Sequence, residues 1–119
     1  YFIAVQPENC APLTRAYKSN TGDIPVITPL PTIAEGASVS TPVRGKVLLD
    51  MARAGAGTFF AAADAATREV YHLLAKQGIY VEPTSALSLT PLLNDKIELA
   101  QPAVTILTGT GLKTTKLAE

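Results

Sequence analysis

Hydroxyl, glycine and carboxylate side chains gather at the ends of two apolar runs in this chain. One run, Ala103-Val104-Thr105-Ile106-Leu107, passes into Thr108-Gly109-Thr110-Gly111 and then a basic tail. The other, Gly78-Ile79-Tyr80-Val81, passes into Glu82-Pro83-Thr84-Ser85-Ala86. A strand that ends in a hydroxyl residue and glycines makes a small polar loop that another molecule can approach closely. The chemistry on offer is a hydrogen bond from Thr108, close backbone approach at Gly109 and Gly111, and a carboxylate at Glu82. In an open parallel sheet, ligands sit just beyond the carboxyl ends of strands, so two such endings imply one site built from neighbouring strand tips.

Each ending also has a plain structural reading. Thr and Gly are common where a strand ends in a turn, and an acid suits the start of a helix beginning near Thr84 or Ser85. A carboxylate at an apolar strand end is costly to bury alone, so Glu82 needs a partner or water.

The elements that must hold these endings follow from pattern. Residues 1–5 read as a buried strand, followed by a short helix over Asn9–Tyr17 with Pro12 tolerated in its first turn. Residues 18–40 are loop-like, which is long for a compact domain and suggests a covering or functional segment. Thr41-Pro42 supplies a hydroxyl cap and a first-turn proline for a helix carrying Val43, Val47, Leu48 and Met51 and ended by Gly55 and Gly57. Thr58–Ala63 reads as a strand. Asp64 is expected to cap the next helix, whose Ala66, Val70, Leu73 and Leu74 recur at helical spacing until Gly78 closes it. Ile79–Glu82 and 103–107 are the remaining strands, with a helix from Ser85 to Leu93 that Pro91 should kink or shorten. Strands alternating with helices predict an α/β fold, a three-layer, mostly parallel sheet flanked by helices.

Bulk properties narrow the partners. Of 119 residues, 47% are apolar and only 17% charged, against roughly 25% charged in typical soluble domains. With a mean hydropathy of +0.22, one apolar face is expected to be covered by another chain or by further sequence. The start at Tyr1, inside a strand-like run and without Met, favours further sequence. Ten basic and ten acidic residues cancel, and no basic stripe interleaves with aromatics, which argues against nucleic acid. No apolar run has membrane-spanning length and no signal peptide is visible, which argues against a membrane partner. The single Cys10 allows no internal disulfide and no cysteine-based metal site, and a cytoplasmic setting is the default expectation.

Three segments, PTIAEGASVSTPVRG (31–45), GIYVEPTSAL (78–87) and LTGTGLK (107–113), occur in an order and spacing that resemble the fold-type II pyridoxal-phosphate enzymes, closest to the threonine synthase branch. The opening IAVQPENCAPLTRAY fits the strand and helix that precede them. The resemblance covers nearly the whole chain. Each motif is weak alone, whereas the ordered set is fairly specific. It implies pyridoxal 5'-phosphate as cofactor and an amino-acid substrate, with O-phosphohomoserine and water converted to threonine and phosphate by a lyase.

By that resemblance Thr108 meets the pyridine nitrogen, with Gly109 close to the ring and Glu82 beside it. A neutral hydroxyl can donate to an unprotonated nitrogen but cannot hold a proton on it. The result is a weaker electron sink, suited to eliminations and replacements at the substrate's β and γ carbons. Glu35, in Ala34-Glu35-Gly36, resembles a segment passing near the active site, though a loop surface charge is the simpler reading. Cys10 is expected in the core, His72 at the surface or boundary, and Lys113 and Lys116 on a solvated tail.

The family's Schiff-base lysine belongs to a Ser-x-Lys segment, and none of Lys18, Lys46, Lys76, Lys96, Lys113 or Lys116 has that context. A glycine-rich phosphate loop is also missing. Residues 1–119 are therefore expected to be the C-terminal part of the cofactor-binding large domain, partnered by the rest of the enzyme chain and inactive alone. The apolar excess and the family both agree with a homodimer. Rival readings are a serine or threonine dehydratase, a cysteate-synthase-like enzyme, or a non-catalytic stand-alone binding or interaction module.

Overall fold

Phe2–Pro7 (β1) and Gly57–Ala62 (β2) carry the chain's clearest strand patterns, and they pair in parallel from Phe2 opposite Gly57 to Pro7 opposite Ala62. The computed structural model describes residues 1–93, 97 and 102–113. Between the strands the chain crosses over through Pro12–Ser19 (α1) and Gly45–Met51 (α2). Side chains alternate across the pair. On one face Phe2, Ala4 and Phe59 meet Leu13 and Ala16 of α1 and Leu49 of α2. On the other, Val5, Phe60 and Ala62 meet Ala34 and Leu87. Leu87 belongs to Pro83–Leu87 (α4), which packs on Asp64–Lys76 (α3) through Val70, Tyr71 and Ala86. Helices thus lie on both faces of a parallel pair, the α/β architecture expected.

Several boundaries differ from the sequence reading for physical reasons. The first helix begins at Pro12 rather than Asn9, because Glu8–Cys10 forms a tighter 3-10 turn and proline suits the first helical position. The buried Gln6 then serves its N-terminus, its Oε1 accepting from Thr14 N at 3.0 Å and Thr14 Oγ1 at 3.2 Å. The second helix starts at Gly45, not Thr41, since Pro42 takes part in a preceding turn that Gly45 N closes at 3.0 Å. Leu49 faces the core, whereas Val43, Val47 and Met51 of the expected stripe lie exposed. Asp64 opens α3, yet its carboxylate does not cap that helix. It accepts instead from Thr32 Oγ1 at 2.6 Å and Ile33 N at 3.0 Å, tying down the long segment before α2. Gly78, at φ 78°, follows the end of α3 as expected.

The two later strands are not built as strands. Gly78 and Pro83 bracket 79–82 so closely that little backbone is left for a ladder, and Val81 makes only an isolated antiparallel bridge to Thr110. Residues 103–107 carry no strand pairing, and Val104 and Ile106 are 88% and 76% exposed. A strand needs a neighbour on its edge, and among the described residues this one has none. The helix expected over Ser85–Leu93 is divided into α4 and Thr90–Leu93 (α5), a break just ahead of Pro91 that matches the expected shortening. Lys96 and the Lys116 tail lie outside the described residues, as does the side chain of Lys113.

Candidate functional site

The first turn of α4 is where the three motif segments meet. Val81 is buried against Val70, Tyr71 and Ala86, which sets where the chain enters the helix. Pro83 then supplies a pre-formed first helical residue behind Glu82. Thr84 and Ser85 follow on adjacent positions. Thr84 Oγ1 accepts Gly36 N at 3.2 Å, which docks the Ala34-Glu35-Gly36 turn. Ser85 Oγ accepts Thr108 N at 3.1 Å and Gly109 N at 3.0 Å and lies 3.2 Å from Thr108 Oγ1. One helix turn further on, Ser88 Oγ lies 2.9 Å from Thr105 Oγ1. The segment expected as a fourth strand is thus laid along α4 by hydroxyl rungs.

Beyond Ser85 the contact passes to backbone. Glu82 N donates to Gly109 O at 3.0 Å, and Gly111 N donates to Tyr80 O at 3.1 Å. This close pairing explains both glycines. A Cβ on Gly109 would fall 2.1 Å from the Glu82 carboxyl carbon, and one on Gly111 would fall 2.6 Å from Val81 O. Within the chain itself, the neighbours that a Cβ would meet at these two positions are Glu82 and Val81.

Thr108, Gly109 and Glu82 are therefore brought together, and Thr108 is exposed rather than packed away. Glu82 precedes α4, half-buried, and makes no side-chain cap. Glu35 is exposed on the docked turn. Cys10 is buried and His72 sits at the boundary against Tyr71, both as expected. A shallow hollow of about 340 Å³ beside Ile24, Val26, Thr41 and Val43 contains none of the site residues. Among the described residues no cluster of three or more His, Cys, Asp or Glu could hold a metal, and no helix is long and apolar enough to cross a membrane.

Ser85 and Thr84 are the residues that sequence reasoning missed. Their one signal was position, paired hydroxyls directly behind a first-turn proline, where such side chains ordinarily serve the helix's own amides.

Residues 2–109 match the family described as pyridoxal-phosphate dependent enzyme. The chain belongs to this family. Its cofactor is pyridoxal 5'-phosphate. Among curated relatives, a threonine synthase of Methanocaldococcus jannaschii is 34% identical over 114 residues, covering 92% of this chain and 28% of that protein. Threonine synthases of Synechocystis sp. and Mycobacterium bovis are each 33% identical, over 69% of this chain and 22% and 24% of their own lengths. This pyridoxal-phosphate family chain thus spans less than a third of the relatives it matches. A crystal structure of the T.th. threonine deaminase superposes with a TM-score of 0.65 at 24% identity, covering 83% of this chain and 35% of that one. At that identity the likeness establishes the fold.

Proposed function

We propose that this chain is the C-terminal part of the large domain of a threonine-synthase-like lyase, supplying the contact to the cofactor's pyridine nitrogen through Thr108. The observation that carries the reading is the convergence of all three motif segments on Thr84 and Ser85, with Thr108 an exposed residue next to Gly109, which itself lies against Glu82. The donor set fits the ring: a neutral hydroxyl on a pinned loop can donate to an unprotonated nitrogen without holding a proton there. When bound, pyridoxal 5'-phosphate supplies an electron sink for chemistry at the substrate's β and γ carbons. The chain's own part is orientation. Ser85 and Ser88 fix the loop along α4, and Glu82 is the carboxylate placed beside Gly109. The lysine that holds the cofactor and the phosphate-binding loop belong to the remainder of the protein, as does most of the substrate pocket.

The substrate reading is O-phosphohomoserine, with water, giving threonine and phosphate. It is supported by Thr-Gly-x-Gly-Leu-Lys at 108–113 and by relatives named threonine synthase. Phosphate release from O-phosphohomoserine by the intact enzyme is the test. Dehydration of threonine without phosphate release would move the assignment to the dehydratase branch, and no cofactor binding at all would favour the stand-alone module.

Thr108 has its own test in the intact enzyme. Thr108→Ser keeps the donor and should retain most activity. Thr108→Val removes it and should cost on the order of 1–3 kcal/mol of transition-state stabilisation. Equal activity in the two variants would remove Thr108 from the site.

A further inference from the structure

We infer that Ser85 is a positioning residue that sets the direction of the Thr108 hydroxyl proton, turning it outward as a donor; this rests on the reading of Thr108 proposed above. A hydroxyl oxygen has two lone pairs and one hydrogen. Both lone pairs of Ser85 Oγ are engaged, by Thr108 N at 3.1 Å and Gly109 N at 3.0 Å. What remains is its hydrogen, and Ser85 is 2% exposed, where a hydroxyl without an acceptor is costly. Thr108 Oγ1, 3.2 Å away, is the acceptor.

Distance alone leaves the sense of the Ser85–Thr108 contact open, but the count of lone pairs closes it. If Thr108 donated, Ser85 Oγ would have to take a third donor while its own buried hydrogen went unmatched. With Ser85 donating, every buried group in the cluster is satisfied, and no buried side-chain nitrogen or oxygen among the described residues lacks a partner. The Thr108 hydrogen is then free to turn to the exposed side. The donors run in one sense, from backbone amides to Ser85, from Ser85 to Thr108, and from Thr108 to a bound acceptor. Bonds chained this way polarise one another, so the last donor is strengthened. The ligand atom matched to it is an acceptor with a free lone pair, such as an unprotonated heteroaromatic nitrogen.

A merely structural Ser85 would pin the loop and nothing more. A double-mutant cycle separates the two roles, with affinity for pyridoxal 5'-phosphate read by fluorescence titration of the intact enzyme. Ser85→Ala should weaken binding about tenfold when Thr108 is present, as loss of one oriented hydrogen bond. In the Thr108→Val background the same change should cost less than about twofold, because the proton it would orient is gone. Ser85→Thr, which keeps the hydroxyl, should restore wild-type affinity. The absorption spectrum of the bound cofactor across pH should shift in Ser85→Ala and Thr108→Val alike, and return in Ser85→Thr. An equal loss from Ser85→Ala in both backgrounds would overturn the inference while leaving Thr108 in place. Unchanged affinity and spectrum in Thr108→Val alone would instead overturn the pyridine-nitrogen reading. If Ser85→Ala does not fold, the cycle runs with Ser85→Cys, whose weaker donor should give a smaller loss that again disappears beside Thr108→Val.

Discussion

The two strands with α1 and α2 are held by buried apolar side chains, whereas the segment along α4 is held by hydroxyls and bare glycines. In the first region Leu49 and Ala16 are fully buried and Phe59 lies at 4% exposure. In the second, Ser88, Ser85 and Thr84 reach out from one helix to Thr105, Thr108, Gly109 and Gly36, while Val104 and Ile106 stay open to solvent. Apolar packing is strong and forgiving of direction; hydroxyl rungs are weaker singly but fix orientation. On the proposed reading of Thr108, the first region supplies stability and the second supplies aim. Leu49→Ala should therefore give the largest loss, about 2–5 kcal/mol, read by chemical denaturation of the intact protein. Its cofactor affinity under folding conditions should stay near wild type. A small stability loss with a large affinity loss would reverse the division of labour.

The same contrast explains what was legible beforehand. Short continuous apolar runs gave away β1 and β2, whose two faces are both covered, and helical spacing of Val70 and Leu74 gave away α3, because each pattern records where the element is buried. Residues 103–107 form a similar apolar run, yet the described chain offers them no sheet edge, so the pattern alone could not place them. Thr108, Gly109 and Glu82 were visible as types at the ends of apolar runs, and the family resemblance grouped them. Ser85 and Thr84 were hidden because a hydroxyl at a helix start has a local use that needs no second segment. Nothing in the sequence marks which incoming amide such a hydroxyl will receive. Asp64 shows the same effect in reverse: its position suggested a cap, and a distant loop took its carboxylate instead.

The glycines of the second region allow a finer division. A Cβ on Gly111 would press on Val81 O at 2.6 Å and on Val81 N at 3.2 Å. Backbone on both sides must then move, and Gly111→Ala should cost about 1–3 kcal/mol as overpacking. A Cβ on Gly109 meets the end of the Glu82 side chain, which can swing away. Gly109→Ala should consequently lower the melting temperature less than Gly111→Ala, while still displacing the carboxylate from its place beside Gly109. If Gly109→Ala proves the more destabilising of the two, Glu82 is held rigidly and belongs with the structural residues.

Asp64 joins the two regions, since it opens α3 yet fastens the strap that ends at the docked turn before α2. Its carboxylate accepts from Thr32 Oγ1 and Ile33 N, and Thr32 Oγ1 in turn accepts Ala34 N at 3.2 Å. Ala34 is fully buried against Ala62 and Leu87, so the strap has an apolar anchor as well as the polar one. Losing the carboxylate removes one of two fastenings. Asp64→Ala should thus cost only about 1 kcal/mol globally, the smallest of these effects. Its mark should be local: faster hydrogen exchange at Ile33 and Ala34, with amides in β1 and β2 unchanged. Should those two amides keep their protection, the Ala34 packing alone fixes the strap, and the turn reaches Thr84 by apolar burial rather than by the Asp64 tie.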